Sequence, residues 1–192
     1  MILYILKLMR AIVLTKNLKK IKSANYQYEF VYWLSKKFEI YKYGIGYDNY
    51  NSKDDFNDIL KKSNFGNNVD IVIFSHTWLN DNPNLKNICI HKNLNIKKDI
   101  PKIGFLNKEY VNLNEKLKFY KDNNFDLIMT HNNNFKNYEK ITNRKFLFSP
   151  FASDSEIYFH KKDKKIDLMF SGIISPHYKH EFSDTRLKMD IK

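Results

Sequence analysis

Short apolar runs recur along the chain between polar stretches rich in lysine and asparagine, and their periods alternate between those of strands and helices. Ala11 to Thr15 (AIVLT) is brief and mostly branched, which predicts a buried strand. Beyond a basic loop, Tyr26, Phe30, Trp33, Leu34 and Phe38 return at helical spacing, with Ser23 or Asn25 placed to cap the helix. Phe38 to Tyr43 (FEIYKY) alternates apolar and polar, as a strand nearer the edge of a sheet does. Asp54 to Lys62 opens with acids and closes with lysines, the arrangement a helix dipole favours. Val69 to Phe74 (VDIVIF) is the clearest strand, followed at once by the polar SHTW.

The second half continues in the same way. Pro101 to Leu106 (PKIGFL) predicts a weaker strand, and Ile88 to His91 (ICIH) could add a short one before it. Leu113, Leu117 and Tyr120 mark a helix, Phe125 to Thr130 a strand, Tyr138 and Ile141 a short helix, and Phe146 to Phe148 a last strand before Pro150. Strands alternating with helices predict an α/β domain with a doubly wound, mostly parallel, Rossmann-like sheet. No internal repeat is visible.

Composition changes this picture in two respects. The formal charge of +12 raises a nucleic-acid or anionic-membrane partner. However, arginine occurs only at Arg10, Arg144 and Arg186 among 33 basic residues, and the bidentate guanidinium fork is what reads phosphates and base edges. The charge therefore argues for an AT-rich coding bias and against a nucleic-acid partner. Cys89 is the sole cysteine, so there is no intrachain disulfide and no cysteine cluster for a metal, which favours a reducing, cytoplasmic setting. The start, MILYILKLMRAIVLT, is interrupted by Lys7 and Arg10 and is shorter than the ~20 residues of a membrane span. It lacks the basic start and small-residue cleavage site of a signal peptide, leaves weak membrane-surface attachment open, and places Met9 as an alternative start to Met1.

Open parallel sheets bind ligands at the carboxyl ends of their strands, and that rule selects the candidate chemistry. Lys16, Lys19, Lys20 and Lys22 follow the first strand, Ser75 to Trp78 the third, Glu109 and Tyr110 the fourth, and His131 to Asn134 the fifth. His76 and His131 stand at rim positions where an imidazole could deprotonate a hydroxyl; the plainer alternative is that each hydrogen-bonds a neighbouring loop. Trp78 could stack on a sugar or base ring, or it packs in the core. Glu109 is a catalytic candidate or a solvent-facing loop acid. Several sharper signals are absent: no P-loop, no GxGxxG, no HExxH, no GxSxG and no Asp-x-Asp after a strand, so no metal site is expected. Gly44 and Gly46 form a GxG, but after the second strand.

The segment from Phe146 to Gly172 carries the most specific signal. Pro150, Ala152, Asp154 and Tyr158 or Phe159 match a P-x-A/G-x-D-x-x-x-F pattern, and Asp167, Phe170 and Gly172 match D-x-x-F-x-G. Together they resemble the interdomain crossing of two-domain GT-B glycosyltransferases, especially the spore-maturation type and related bacterial and viral enzymes. Tyr178, Arg186 and Leu187 are similar to that family's Y…R…L segment, and Phe125 to Glu139 resembles its last N-terminal strand and rim.

The resemblance implies an acceptor-binding domain over residues 1–149, a crossing at 150–165, and at 166–192 the truncated start of a donor-binding domain. It further implies sugar transfer from a nucleotide-sugar donor to a glycan or other hydroxyl acceptor, with no cofactor and no obligatory metal. His76 or His131 would be the base, with Lys16, Trp78, Glu109 and Asn133 around the acceptor and Gly172, Tyr178 and Arg186 toward the donor. With so little of the donor half in the chain, a separate donor-domain chain or an inactive remnant is expected. A non-catalytic α/β module binding a glycan or a protein is the alternative.

Overall fold

The computed structural model describes residues 8–19, 25–81, 94, 96 and 99–149, with side chains at 25–29 left out. The chain divides into two units, Met1–Pro150 and Phe151–Lys192, and every described residue belongs to the first. The ICIH run, Ser23 and the whole crossing with Gly172, Tyr178 and Arg186 lie outside the described residues.

Among the described residues, six strands and four helices follow the alternation predicted from the apolar periods: β1 Met9–Leu14, α1 Asn25–Ser35, β2 Phe38–Tyr43, α2 Phe56–Ser63, β3 Ile71–Phe74, β4 Lys102–Leu106, α3 Leu113–Asp122, β5 Leu127–Thr130, α4 Phe135–Thr142 and β6 Phe146–Phe148. They form one six-stranded sheet in the order β2-β1-β3-β4-β5-β6, and every pairing is parallel. The fold is therefore α/β and Rossmann-like, with the half-polar FEIYKY on an edge, as its alternation predicts.

The chain moves one way from β1 to β2 and the other way from β1 to β3. Right-handed crossovers in opposite directions place their helices on opposite faces. Accordingly Val31 of α1 packs with Ala11, Val13 and Ile73 on one face. Residues of α2, α3 and α4 (Ile59, Leu117 and Tyr138 among them) pack with Ile12, Leu14, Val72 and Phe74 on the other. The period-two alternation of β1 and β3 is what supplies both faces at once.

Helix α2 begins one turn's edge later than its acids predict. Asp55 is the N-cap, accepting from the Asp58 amide at 2.9 Å while the Asp58 carboxylate accepts from the Asp55 amide, a reciprocal capping box. Asp54 is instead buried, taking the Tyr43 hydroxyl at 2.7 Å and Lys62 Nζ at 2.5 Å. Burial and the Asp54 carboxylate hold the Tyr43 phenol protonated well above its usual range.

The GxG after β2 has a structural explanation. Gly44 has φ +149°, and a Cβ there would stand 2.1 Å from the Thr15 carbonyl oxygen. The loop is tied to the one after β1 by Asn17 N–H to Ile45 O at 2.8 Å and Asn17 Nδ2 to Gly46 O at 3.0 Å. Gly44→Ala should therefore cost about 2 kcal/mol, read as a lowered urea midpoint with an unchanged slope; an unchanged midpoint would contradict the close approach.

Candidate functional site

The reversal between β1 and β3 places their carboxyl ends side by side, with Leu14 in register with Phe74. In doubly wound sheets the ligand crevice opens at such a point. What stands there is a compact hydroxyl network. Thr77 Oγ1 lies 3.2 Å from Thr15 Oγ1 and 2.9 Å from Ser75 Oγ, and accepts the Lys16 amide at 2.9 Å. The network welds the loop after β1 to the loop after β3, so the Lys16 side chain leaves from a fixed backbone at the crevice. Pattern reading selected Lys16 and the SHTW loop but not the bonding between them.

His76 leaves the end of β3 into an aromatic box. Phe30 of α1 meets it edge-on at 5.1 Å and Phe105 of β4 lies 4.7 Å away. His131, just past β5, stacks parallel to it, with centroids 5.8 Å apart and planes within 6°. His76 Nδ1 is buried without a hydrogen-bond partner, and burial, with His131 adding like-charge repulsion, pulls its pKa down to about 4. It is thus uncharged at neutral pH. His131 Nδ1 faces the Ser149 carbonyl, an acceptor only, so this nitrogen carries the proton and the neutral ring presents Nε2 as the acceptor. The structure brings the two predicted histidines together, from the ends of β3 and β5.

The other predicted positions separate. Trp78 is 1% exposed, edge-on to Phe74 and beneath Gly44, so its indole is a core residue here and offers no face to a ring. This corrects the stacking reading; the turn after β3, closed by Trp78 N–H to Ser75 O, folds the side chain inward. Glu109 accepts from Thr130 Oγ1 at 2.6 Å, which orients it toward the end of β5 rather than leaving it as a loose loop acid. Asn133 is exposed at the start of the turn leading to α4.

Three residues at the same rim escape pattern reading. Lys116 of α3 has a 2% exposed side chain, and its Nζ donates to Asp81 Oδ1 at 2.7 Å, Asn107 O at 2.8 Å and Lys108 O at 3.2 Å. Lys108 Nζ approaches the other Asp81 oxygen at 3.5 Å, and Lys108 itself is held at φ +49°. A signal for Lys116 does exist: it stands three residues after Leu113 and one before Leu117, on the buried stripe of an otherwise amphipathic helix. Among the described residues no group of His, Cys, Asp and Glu side chains could hold a metal, and no helix is long and apolar enough to cross a membrane.

Fold and rim together define a doubly wound α/β protein with polar groups gathered at the carboxyl ends of β1, β3, β4 and β5. Comparison of the chain with protein-family models, with curated proteins and with solved structures finds no match in any of the three.

Proposed function

We propose that residues 1–149 form the acceptor-binding half of a GT-B-type glycosyltransferase, with His131 as the base. The observation that carries this reading is the pair of rim histidines, with His131 fixed in one tautomer by the carbonyl of Ser149, next to the proline that opens the family-like crossing. In the proposed step an acceptor O–H gives its proton to His131 Nε2. The acceptor oxygen then bonds to the anomeric carbon of a nucleotide sugar as that carbon's bond to the diphosphate oxygen breaks. The Nδ1 hydrogen bond to Ser149 supports the charge on the ring.

His76 serves this arrangement by staying neutral. Burial penalises charge on the His76 ring, so it does not compete for the acceptor's proton. The fold, the carboxyl-edge crevice and the resemblance of residues 146–172 all support the reading.

The test is transfer from UDP-, GDP- and TDP-sugars onto an immobilised glycan panel by the chain joined to the donor-binding domain of a GT-B enzyme, followed by mass spectrometry. His131→Gln should lower transfer by roughly 10²-fold or more while leaving the melting temperature in place. Transfer that survives this substitution removes His131 as the base. Glycan retention without any transfer favours the binding-module reading instead.

A further inference from the structure

The crevice carries more positive charge than its carboxylates answer. Among the described residues, Lys116 and Lys108 approach Asp81 at 2.7 and 3.5 Å. Lys16, fixed at the end of β1 through Thr77, lies within electrostatic range of Asp81 and Lys108, so three ammonium groups face one carboxylate with a formal excess of two positive charges. Asp81 is already committed, since Lys116 Nζ takes one oxygen at 2.7 Å and spends its other two hydrogens on the carbonyls of Asn107 and Lys108. The carboxylate of Glu109 is turned toward β5 by Thr130. Lys108 reaches Asp81 only at 3.5 Å. The Lys16 ammonium makes no hydrogen bond or ion pair to any described residue, although it is partly buried and its backbone is pinned by Thr77.

A partly desolvated ammonium without a counter-ion is unfavourable, and an arriving anion removes the penalty. Desolvation does lower the Lys16 pKa, with Asp81 opposing and Lys108 reinforcing the shift. Compact ammonium groups suit a phosphate as point charges, without the bidentate geometry of arginine. The position, over the reversal between β1 and β3 and beside the end of β4, is where a doubly wound sheet admits ligand.

We propose that Lys16 and Lys108 form an anion site that takes a phosphate group of the protein's ligand, with Asp81 and Lys116 as the scaffold that holds Lys108 in place. The site stands independently of the transferase reading, because its charges and geometry ask only for an oxyanion.

The experiment titrates pyrophosphate into the full chain by calorimetry, against sodium chloride at matched ionic strength. Saturable binding in the millimolar range or tighter is expected, weakened at least about tenfold by Lys16→Met and by Lys108→Met. Lys140→Met, an exposed lysine in the last turn of α4, should leave it unchanged. Without ligand, Lys16→Met should melt at the same temperature or higher, since it removes an unanswered charge; this separates loss of binding from loss of fold. UDP and a hexose 6-phosphate are the further arms: preference for UDP assigns the site to a diphosphate, preference for the sugar phosphate to a monoester on the acceptor. No pyrophosphate binding by the wild-type chain, or equal binding by Lys16→Met, overturns the proposal.

Discussion

Lys116→Met is expected to lower the free energy of unfolding by about 3–5 kcal/mol, the cost of removing one partner from a buried ion pair. Methionine matches the lysine stem in length, so the packing against α3 is largely kept and the loss isolates the ammonium. Three acceptors lose their donor together: Asp81 Oδ1 and the carbonyls of Asn107 and Lys108. Lys108, at 3.5 Å from Asp81, answers part of the carboxylate charge but neither carbonyl. The loop from β4 to α3 should therefore loosen, and with it the positive φ of Lys108 and the orientation of Glu109. Urea denaturation of both proteins supplies the measurement. Asp81→Asn added to Lys116→Met should recover part of the loss, because it removes the stranded charge. A single variant within about 0.5 kcal/mol of wild type would show that the Lys116 cluster holds nothing together.

That cluster marks the limit of what the residue pattern could reveal. Strands and helices were legible because burying a sheet on both faces demands continuous apolar runs such as IVIF, and one-sided helices demand the 3.6-residue period of Leu113, Leu117 and Tyr120. The rim histidines were legible because a polar residue directly after a buried strand has only the carboxyl edge to occupy. The Thr15–Thr77–Ser75 network was not, since Thr15 and Thr77 lie 62 residues apart and hydroxyl pairing leaves no periodic trace. For Trp78 the pattern left rim stacking and core packing both open, for a related reason. Its position after β3 points to the rim, while the tight turn at Ser75 sends the indole back into the core, into space that only a glycine at position 44 leaves open. Local pattern records which face a residue takes within an element, and loses that information where the element ends.

His76 should make the protein acid-labile in a way that one substitution can isolate. Its pKa falls from the ordinary imidazole value in the unfolded chain to about 4 in the folded one. Near pH 7 both states hold the ring neutral, and the group contributes nothing to the pH dependence. As pH falls below the unfolded value, the unfolded chain binds a proton that the folded chain refuses, so stability drops; below about pH 4 both states are charged and the effect levels off. The loss from this group amounts to roughly 2 kcal/mol by pH 5 and roughly 3 kcal/mol by pH 4. Among the described residues, the rings packed against it are those of Phe30, Phe105 and His131. His76→Phe fits the same aromatic box, removes the unpartnered Nδ1 and leaves His131 in place. Its unfolding free energy should match or exceed that of wild type at pH 7 and fall less steeply toward pH 4.5. The widening gap between the two curves is the His76 contribution. Parallel curves across that range would mean that His76 accepts a proton in the folded state as readily as in the unfolded one. The box would then be open to water, and His76 rather than His131 would become the stronger candidate for moving a proton at the rim.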